Sequence, residues 1–259
     1  ALGVATEKLY CTPSGNFPHN PEPLEKHLGE IMNVVPAQKC DLGIVVDPDV
    51  DRLALITERG EMFGEEYSLV AAADYLLGYE KGPVVSNLSS SRALRDLARQ
   101  HGVAYHASAV GEVNVVRKMK ETRALIGGEG NGGVILPELH YGRDALVGIA
   151  LILSHLAESG KTLSSFRSQY PAYFMTKNKA QLKPELDVDK LLQEIAEEHD
   201  QEVVSQVDGV KIDFAESWIH LRKSNTEPIV RVYSEARTVE DAKKLGQAYV
   251  DLLEKKSDL

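Results

Sequence analysis

A layered α/β fold followed by a smaller α+β domain is the architecture this sequence predicts, and three observations predict it. Compact apolar runs suited to buried strands alternate with helical patterns between residues 42 and 158. Glycines at 60, 78, 102 and 160 punctuate that alternation, as expected where elements end. Past Pro171 the alternation gives way to one acidic helix, several strand-like segments and a closing helix. With 259 residues, 43% hydrophobic and 26% charged, the chain has the composition of an ordinary globular protein and length for about two domains.

In chain order, Leu42 to Val46 reads as a buried strand, the polar loop Asp47 to Arg52 follows, and Leu53 to Thr57 is a second strand closed by the turn Arg59-Gly60. Leu69 to Leu77 is helical in composition and stops at Gly78, and Val84-Val85 opens a strand. Arg92 to Gln100 carries Leu94, Leu97 and Ala98 at helical spacing before Gly102. Val103 to Val110 and Ala124-Leu125-Ile126 supply two more strands around a helix near Asn114 to Glu121. The longest apolar run, Ala145 to Leu153, lies in a helix from Asp144 to Glu158 and is far short of the roughly 20 residues that span a bilayer, so it reads as a buried helix. Beyond a boundary near Tyr170 come a helix over Val188 to His199, strands around Val207 to Leu221 and Ile229 to Ser234, and a last helix after Thr238, whose spacing to Asp241 fits a capping box. Leu2-Gly3-Val4 and Leu9-Tyr10-Cys11 read like the middle of an α/β unit, so the chain is expected to begin inside a fold.

Thirty-nine acidic against 29 basic residues leave a net charge of −10, which repels a polyanion and argues against a nucleic-acid binder. An anionic ligand must then be held by a local basic cluster. Two cysteines, Cys11 and Cys40, make no disulfide framework, and no secretory signal opens the chain, so a cytoplasmic protein with no membrane partner is expected.

Three loops carry chemistry. Asp47-Pro48-Asp49-Val50-Asp51-Arg52 sets three carboxylates at alternate positions after a strand, where they can turn together onto one divalent cation. A calcium-binding EF-hand loop is half supported by Glu58 at the twelfth position, but Arg52 stands where that loop needs glycine and the flanks read as strands. Arg52 can either neutralise oxygens near a bound phosphate or pair with the aspartates. Gly127 to Gly133 holds five glycines around Glu129 and Asn131, a carboxylate and an amide suited to hydroxyl groups, and it matches neither a dinucleotide fingerprint nor a P-loop. Arg222 to Arg231 gathers two arginines, Lys223, Ser224, Asn225 and Thr226 around Pro228, a composition suited to a phosphate clamp.

Together, the three loops resemble those of the α-D-phosphohexomutase family, which includes phosphoglucomutase, phosphomannomutase and phosphoglucosamine mutase. Asp47 to Arg52 is similar to its magnesium loop, Gly128 to Gly132 to its sugar-recognition loop, and Ser224 to Pro228 to its phosphate-binding loop; Phe17-Pro18 and Asn20 to Pro23 look like the link before its second domain ends. The resemblance implies the last part of the family's second domain over residues 1–59, the third over 60–169 and the fourth, α+β, over 170–259. It also implies Mg2+ on Asp47, Asp49 and Asp51, sugar hydroxyls on Glu129 and Asn131, and the non-reacting phosphate of a phosphosugar on Arg222, Ser224, Asn225, Thr226 and Arg231. Arg52 would stabilise the transferring group. The family's phosphorylated serine, in a Ser-His-Asn-Pro context, has no counterpart here, so this chain alone is expected to bind magnesium weakly and sugar phosphate partly, and not to turn over. Pro48 and Val50 stand where many members have glycine, and Asn131 where many have serine. The Gly-Glu-Gly-Asn-Gly-Gly form, with Val110 to Asn114 upstream, looks most similar to the phosphoglucosamine mutase branch. His106 and His140 read as core or surface histidines more readily than as acids or bases. A non-catalytic phosphosugar-binding module and a calcium-binding structural protein are the alternatives from other classes.

Overall fold

The structure, a computed structural model, describes residues 2–183, 185–224 and 227–257. The chain divides into two compact units, Ala1–Ala107 with Gly111–Pro171, and Ser108–Val110 with Ala172–Leu259.

The first unit begins with residues 2–24, which form no strand or helix, before a short 3-10 turn, Glu25–His27. Helix α1 (Gly29–Ala37) then packs on the hairpin β1 (Leu42–Val46) and β2 (Leu53–Thr57), paired antiparallel with Val46 opposite Leu53. Strand β2 is wholly buried, as its sequence predicts. The expectation for β1 is corrected: Ile44 and Val46 are exposed, because this two-stranded ladder covers only one of its faces.

There follow α2 (Glu65–Tyr79), β3 (Val84–Asn87), α3 (Ala93–His101), β4 (Tyr105–Ser108), α4 (Glu112–Thr122), β5 (Ile126–Glu129), β6 (Gly133–Ile135), α5 (Ala145–Ser159) and α6 (Leu163–Gln169). The sheet runs β4-β3-β5-β6, with β3 and β5 parallel and β5 and β6 a tight antiparallel hairpin. Parallel strands put their carboxyl ends at one edge, the edge where open α/β sheets bind ligands, and here that edge brings Asn87 to Glu129. Helix α5 starts where predicted because the Asp144 side chain accepts from the amides of Leu146 and Val147, and it ends on Gly160 in the left-handed region. Its apolar run is not buried throughout, however. Ala145, Val147, Gly148 and Ile152 face inward while Leu146 is exposed. No single helix among the described residues is long and apolar enough to cross a membrane.

The second unit is an antiparallel sheet, β7-β11-β10-β9-β8, built from β7 (Phe174–Gln181), β8 (Val203–Ser205), β9 (Val210–Asp213), β10 (Trp218–Lys223) and β11 (Ile229–Ala236). The strands expected around Val207 to Leu221 are β9 and β10, joined by a turn. Helices α7 (Val188–Glu197) and α8 (Val239–Ser257) cover one face, closing a core of Ala180, Ile195, Ile212, Ile219, Leu221, Val230, Val232 and Leu253. At the start of α8, Thr238 Oγ1 accepts from the Asp241 amide at 3.0 Å, as the capping spacing predicts.

On the other face His220 is buried with Nε2–H donating to the Asp208 carbonyl at 2.7 Å, and burial pulls its pKa down to about 4. The unfolded imidazole, near the ordinary 6.5, binds the proton that the folded one refuses. The stabilisation from keeping His220 neutral is therefore complete above pH 6.5 and is lost as pH falls towards 4. Unfolding followed through Trp218, the only tryptophan, should show this unit about 2 kcal/mol less stable at pH 5 than at pH 7.5. In His220→Gln that pH step should vanish.

Candidate active site

The carboxylate loop between β1 and β2 is shaped by its own first residue. Asp47 is buried, and its Oδ1 accepts from the amides of Asp51 and Arg52, both at 3.0 Å, while its carbonyl accepts from the Val50 amide at 3.1 Å. That turn forces Val50 to φ +58°, a costly conformation for a β-branched residue. The carbonyl of Val50 accepts from the Ala145 amide at 3.0 Å, so the strain is held from outside the loop. Val50→Gly should relieve about 1–2 kcal/mol of strain against about 0.5–1 kcal/mol of added unfolded-chain entropy, a small net stabilisation visible in the denaturation midpoint.

The result is one carboxylate oxygen from each of Asp47, Asp49 and Asp51, all within 4.8 Å of one another. Asp51 Oδ1 is buried without a hydrogen-bond partner among the described residues. Burial, and then the bond and charges of its aspartate neighbours, push Asp51 up to about 6 against the pull of Arg143. Three hard oxygens, on a cluster that includes a buried Asp51 Oδ1 with no hydrogen bond, fit a divalent cation such as Mg2+. Arg52 lies along this cluster, its Nε 3.5 Å from Asp47 Oδ2 and 3.8 Å from Asp51 Oδ1, with Nη1 3.7 Å from Glu22.

The glycine loop is a hairpin turn from β5 to β6, and its packing makes it rigid. Gly132 sits at φ +88°, where an added Cβ would lie 2.4 Å from the Leu53 carbonyl oxygen, and its own carbonyl accepts from the Leu53 amide at 3.0 Å. The glycine loop is thereby stitched to the first residue after the carboxylate loop. Glu129 is buried: Oε1 accepts from Asn87 Nδ2 at 2.8 Å and from the Gly111 amide at 3.1 Å, and Oε2 accepts from Arg143 Nη1 at 2.9 Å. Asn131 Oδ1 accepts from the Gly133 amide at 3.2 Å.

Sequence reasoning missed Arg143. Its guanidinium also binds Asp51 Oδ2 and lies 3.2 Å from Glu112 Oε2, so one side chain joins the carboxylate loop, the glycine loop and the start of α4. The only local signal was an arginine just before a helix-capping aspartate. Glu112 and Asn87 were likewise given no role. His140 is half exposed, with Nε2 3.0 Å from Asp144 Oδ2, and His106 is half-buried on β4.

In the second unit, the basic loop joins β10 to β11, with Arg222 directly opposite Arg231. Arg222 Nε lies 2.8 Å from Asp208 Oδ2, and Lys223 Nζ donates to Asp189 Oδ2 at 2.7 Å. Ser224 is largely buried, its amide donating to the Ile229 carbonyl at 3.0 Å. Arg231 is exposed, with no ion pair among the described residues. Asn225 and Thr226 lie outside the described residues.

Comparison with known proteins then gives three matches in series: the phosphoglucomutase/phosphomannomutase alpha/beta/alpha domain II over residues 1–60, alpha/beta/alpha domain III over 64–173 and the C-terminal domain over 176–252. A phosphoglucomutase/phosphomannomutase of Thermococcus kodakarensis is 34% identical over 98% of this chain and 56% of its own length. A phosphoglucosamine/phosphogalactosamine mutase of Sulfurisphaera tokodaii is 33% identical over 92% of this chain and 53% of its own. The chain spans about half the length of the curated relatives it matches. Among solved structures, a phosphoglucomutase/phosphomannomutase family protein of Burkholderia thailandensis shares the fold with a TM-score of 0.76 at 24% identity, over 90% of this chain and 52% of that one. An Aspergillus fumigatus N-acetylphosphoglucosamine mutase, solved in complex with GlcNAc-6P and magnesium, shares it at 0.61 and 14%, over 87% and 53%.

Proposed function

The chain belongs to the phosphoglucomutase/phosphomannomutase family, and from that premise we propose that it is the metal-, sugar- and phosphate-binding part of a phosphohexomutase that interconverts hexose 1-phosphate and hexose 6-phosphate. The observation that carries this reading is the meeting of Asp51 and Glu129 on one guanidinium, which puts the carboxylates suited to a cation beside the carboxylate suited to a sugar.

In this reading Asp47, Asp49 and Asp51 hold Mg2+, which when bound neutralises charge on the transferring phosphoryl group. Glu129, fixed by three donors, accepts from a sugar hydroxyl. Asn131 spends its oxygen on the turn and offers its amide nitrogen to the sugar. Arg52, a third exposed at the rim of the aspartate cluster, reaches the phosphoryl oxygens. Arg222, Ser224, Asn225, Thr226 and Arg231 hold the phosphate that does not react, the unpaired Arg231 supplying the least committed charge.

The phosphoryl group passes from a phosphoserine outside this chain to the sugar phosphate, the bisphosphate reorients, and its other phosphate returns to the serine. The absence of a Ser-His-Asn-Pro segment and the match to domains II, III and IV support an external serine. A cytoplasmic setting suits the two unpaired thiols. The test is a mutase assay on the 259-residue chain alone. Glucose 1-phosphate should give no sustained glucose 6-phosphate, and steady turnover would overturn the need for an outside serine.

A further inference from the structure

Arg143 is fixed from both ends. Its stem lies over Gly133, where an added Cβ would come within 2.4 Å of Arg143 Cδ, and the next two residues are tied down by the Asp144 cap and by the Ala145 amide on the Val50 carbonyl. Its side chain is 15% exposed, and its head reaches three carboxylates from three separate parts of the chain: Asp51 on the carboxylate loop, Glu129 at the end of β5 and Glu112 at the start of α4. A planar guanidinium spreads five donors over three nitrogens, and here each nitrogen serves a different carboxylate, whereas an ammonium has its three donors on a single nitrogen. The bond to Asp51 occupies one oxygen and leaves the other, Oδ1, without a hydrogen bond and 3.8 Å from Arg52 Nε.

We propose that Arg143 is a positioning residue that couples cation binding to sugar binding, an inference that rests on the function proposed above. A cation at the three aspartates competes with Arg143 for the charge of Asp51. The charge released is taken up by Glu129 and Glu112, so occupation of one loop changes the affinity of the other. By linkage the coupling is reciprocal: whatever factor Mg2+ applies to sugar phosphate, sugar phosphate applies to Mg2+.

The experiment is calorimetric titration of the 259-residue chain with α-D-glucose 1-phosphate, without and with saturating Mg2+, for wild type, Arg143→Lys and Arg143→Met, with ligand-free melting to confirm that each is folded. The ratio of the two dissociation constants is the coupling factor. It should be about fivefold or more in wild type, within about twofold of unity in Arg143→Met, and intermediate in Arg143→Lys; if the methionine variant does not fold, the lysine variant decides. A purely structural role would lower the melting temperature and leave the ratio alone. A ratio in the folded variants equal to that of wild type, or a ratio of one in wild type, overturns the coupling while the phosphosugar reading stands. No glucose 1-phosphate binding by wild type overturns both.

Discussion

Mg2+ should stabilise this chain against melting, and Asp49→Ala should abolish that effect while leaving the metal-free fold intact. Asp49 is exposed, and no hydrogen bond or ion pair ties it to the loop among the described residues, whereas Asp47 organises the loop backbone and Asp51 is held by Arg143. Its structural effect is mostly repulsion, since its carboxylate lies within 4.8 Å of two others. Removing it should hold or slightly raise the melting temperature in chelator. The cost falls on the metal: losing a direct oxygen ligand should weaken Mg2+ binding by more than the roughly 10–100-fold typical of losing a hydrogen-bond partner behind a ligand. Asp49→Asn keeps an oxygen without its charge and should fall between. Melting curves with and without 10-fold steps of Mg2+ read all of this, and a variant that loses metal-free stability instead would show Asp49 to be a structural residue.

Gly132→Ala should cost about 3 kcal/mol or more, from two sources. A residue with a Cβ pays about 1–2 kcal/mol at φ +88°. Its Cβ would also meet the Leu53 backbone, oxygen at 2.4 Å and nitrogen at 2.9 Å, which cannot swing aside as a side chain can. Moving β2 away breaks the Leu53 amide bond to Gly132 and leaves a buried donor unpaired, about 1–3 kcal/mol more. Gly160→Ala is the control: φ is +65° but nothing lies within 4 Å of the added Cβ, so only the backbone cost of about 1 kcal/mol applies. Chemical denaturation of the two variants should separate them by about 2 kcal/mol.

Those two glycines mark how far the sequence could be read. The density of glycine around Glu129 is visible in one dimension, but the need for it is not, because Leu53 and Arg143 crowd the loop from positions far along the chain. The three aspartates were legible since they are local, alternating and set between apolar runs, and the conformation of one loop decides their meeting. Arg143 was not, because its partners at 51, 112 and 129 converge only once the sheet has formed. Strand β7 was also missed. Its sequence, Phe174 to Gln181, is mostly polar and only Ala180 is fully buried, as suits an edge strand with helix α8 on one side. Strand β1 erred the other way: five apolar or small residues looked buried, and the two-stranded ladder leaves Ile44 and Val46 in the open. Apolar content sets what a strand is able to bury, and its neighbours set what it does bury.

Amide NMR reads out whether the glycine loop and the carboxylate loop form one phosphosugar-binding site. With 15N-labelled chain in saturating Mg2+, α-D-glucose 1-phosphate should shift the amides of Gly128 to Gly133 and of Val50 to Arg52 along one common binding curve. Unchanged glycine-loop amides at millimolar sugar phosphate, or shifts confined to one loop, would contradict it.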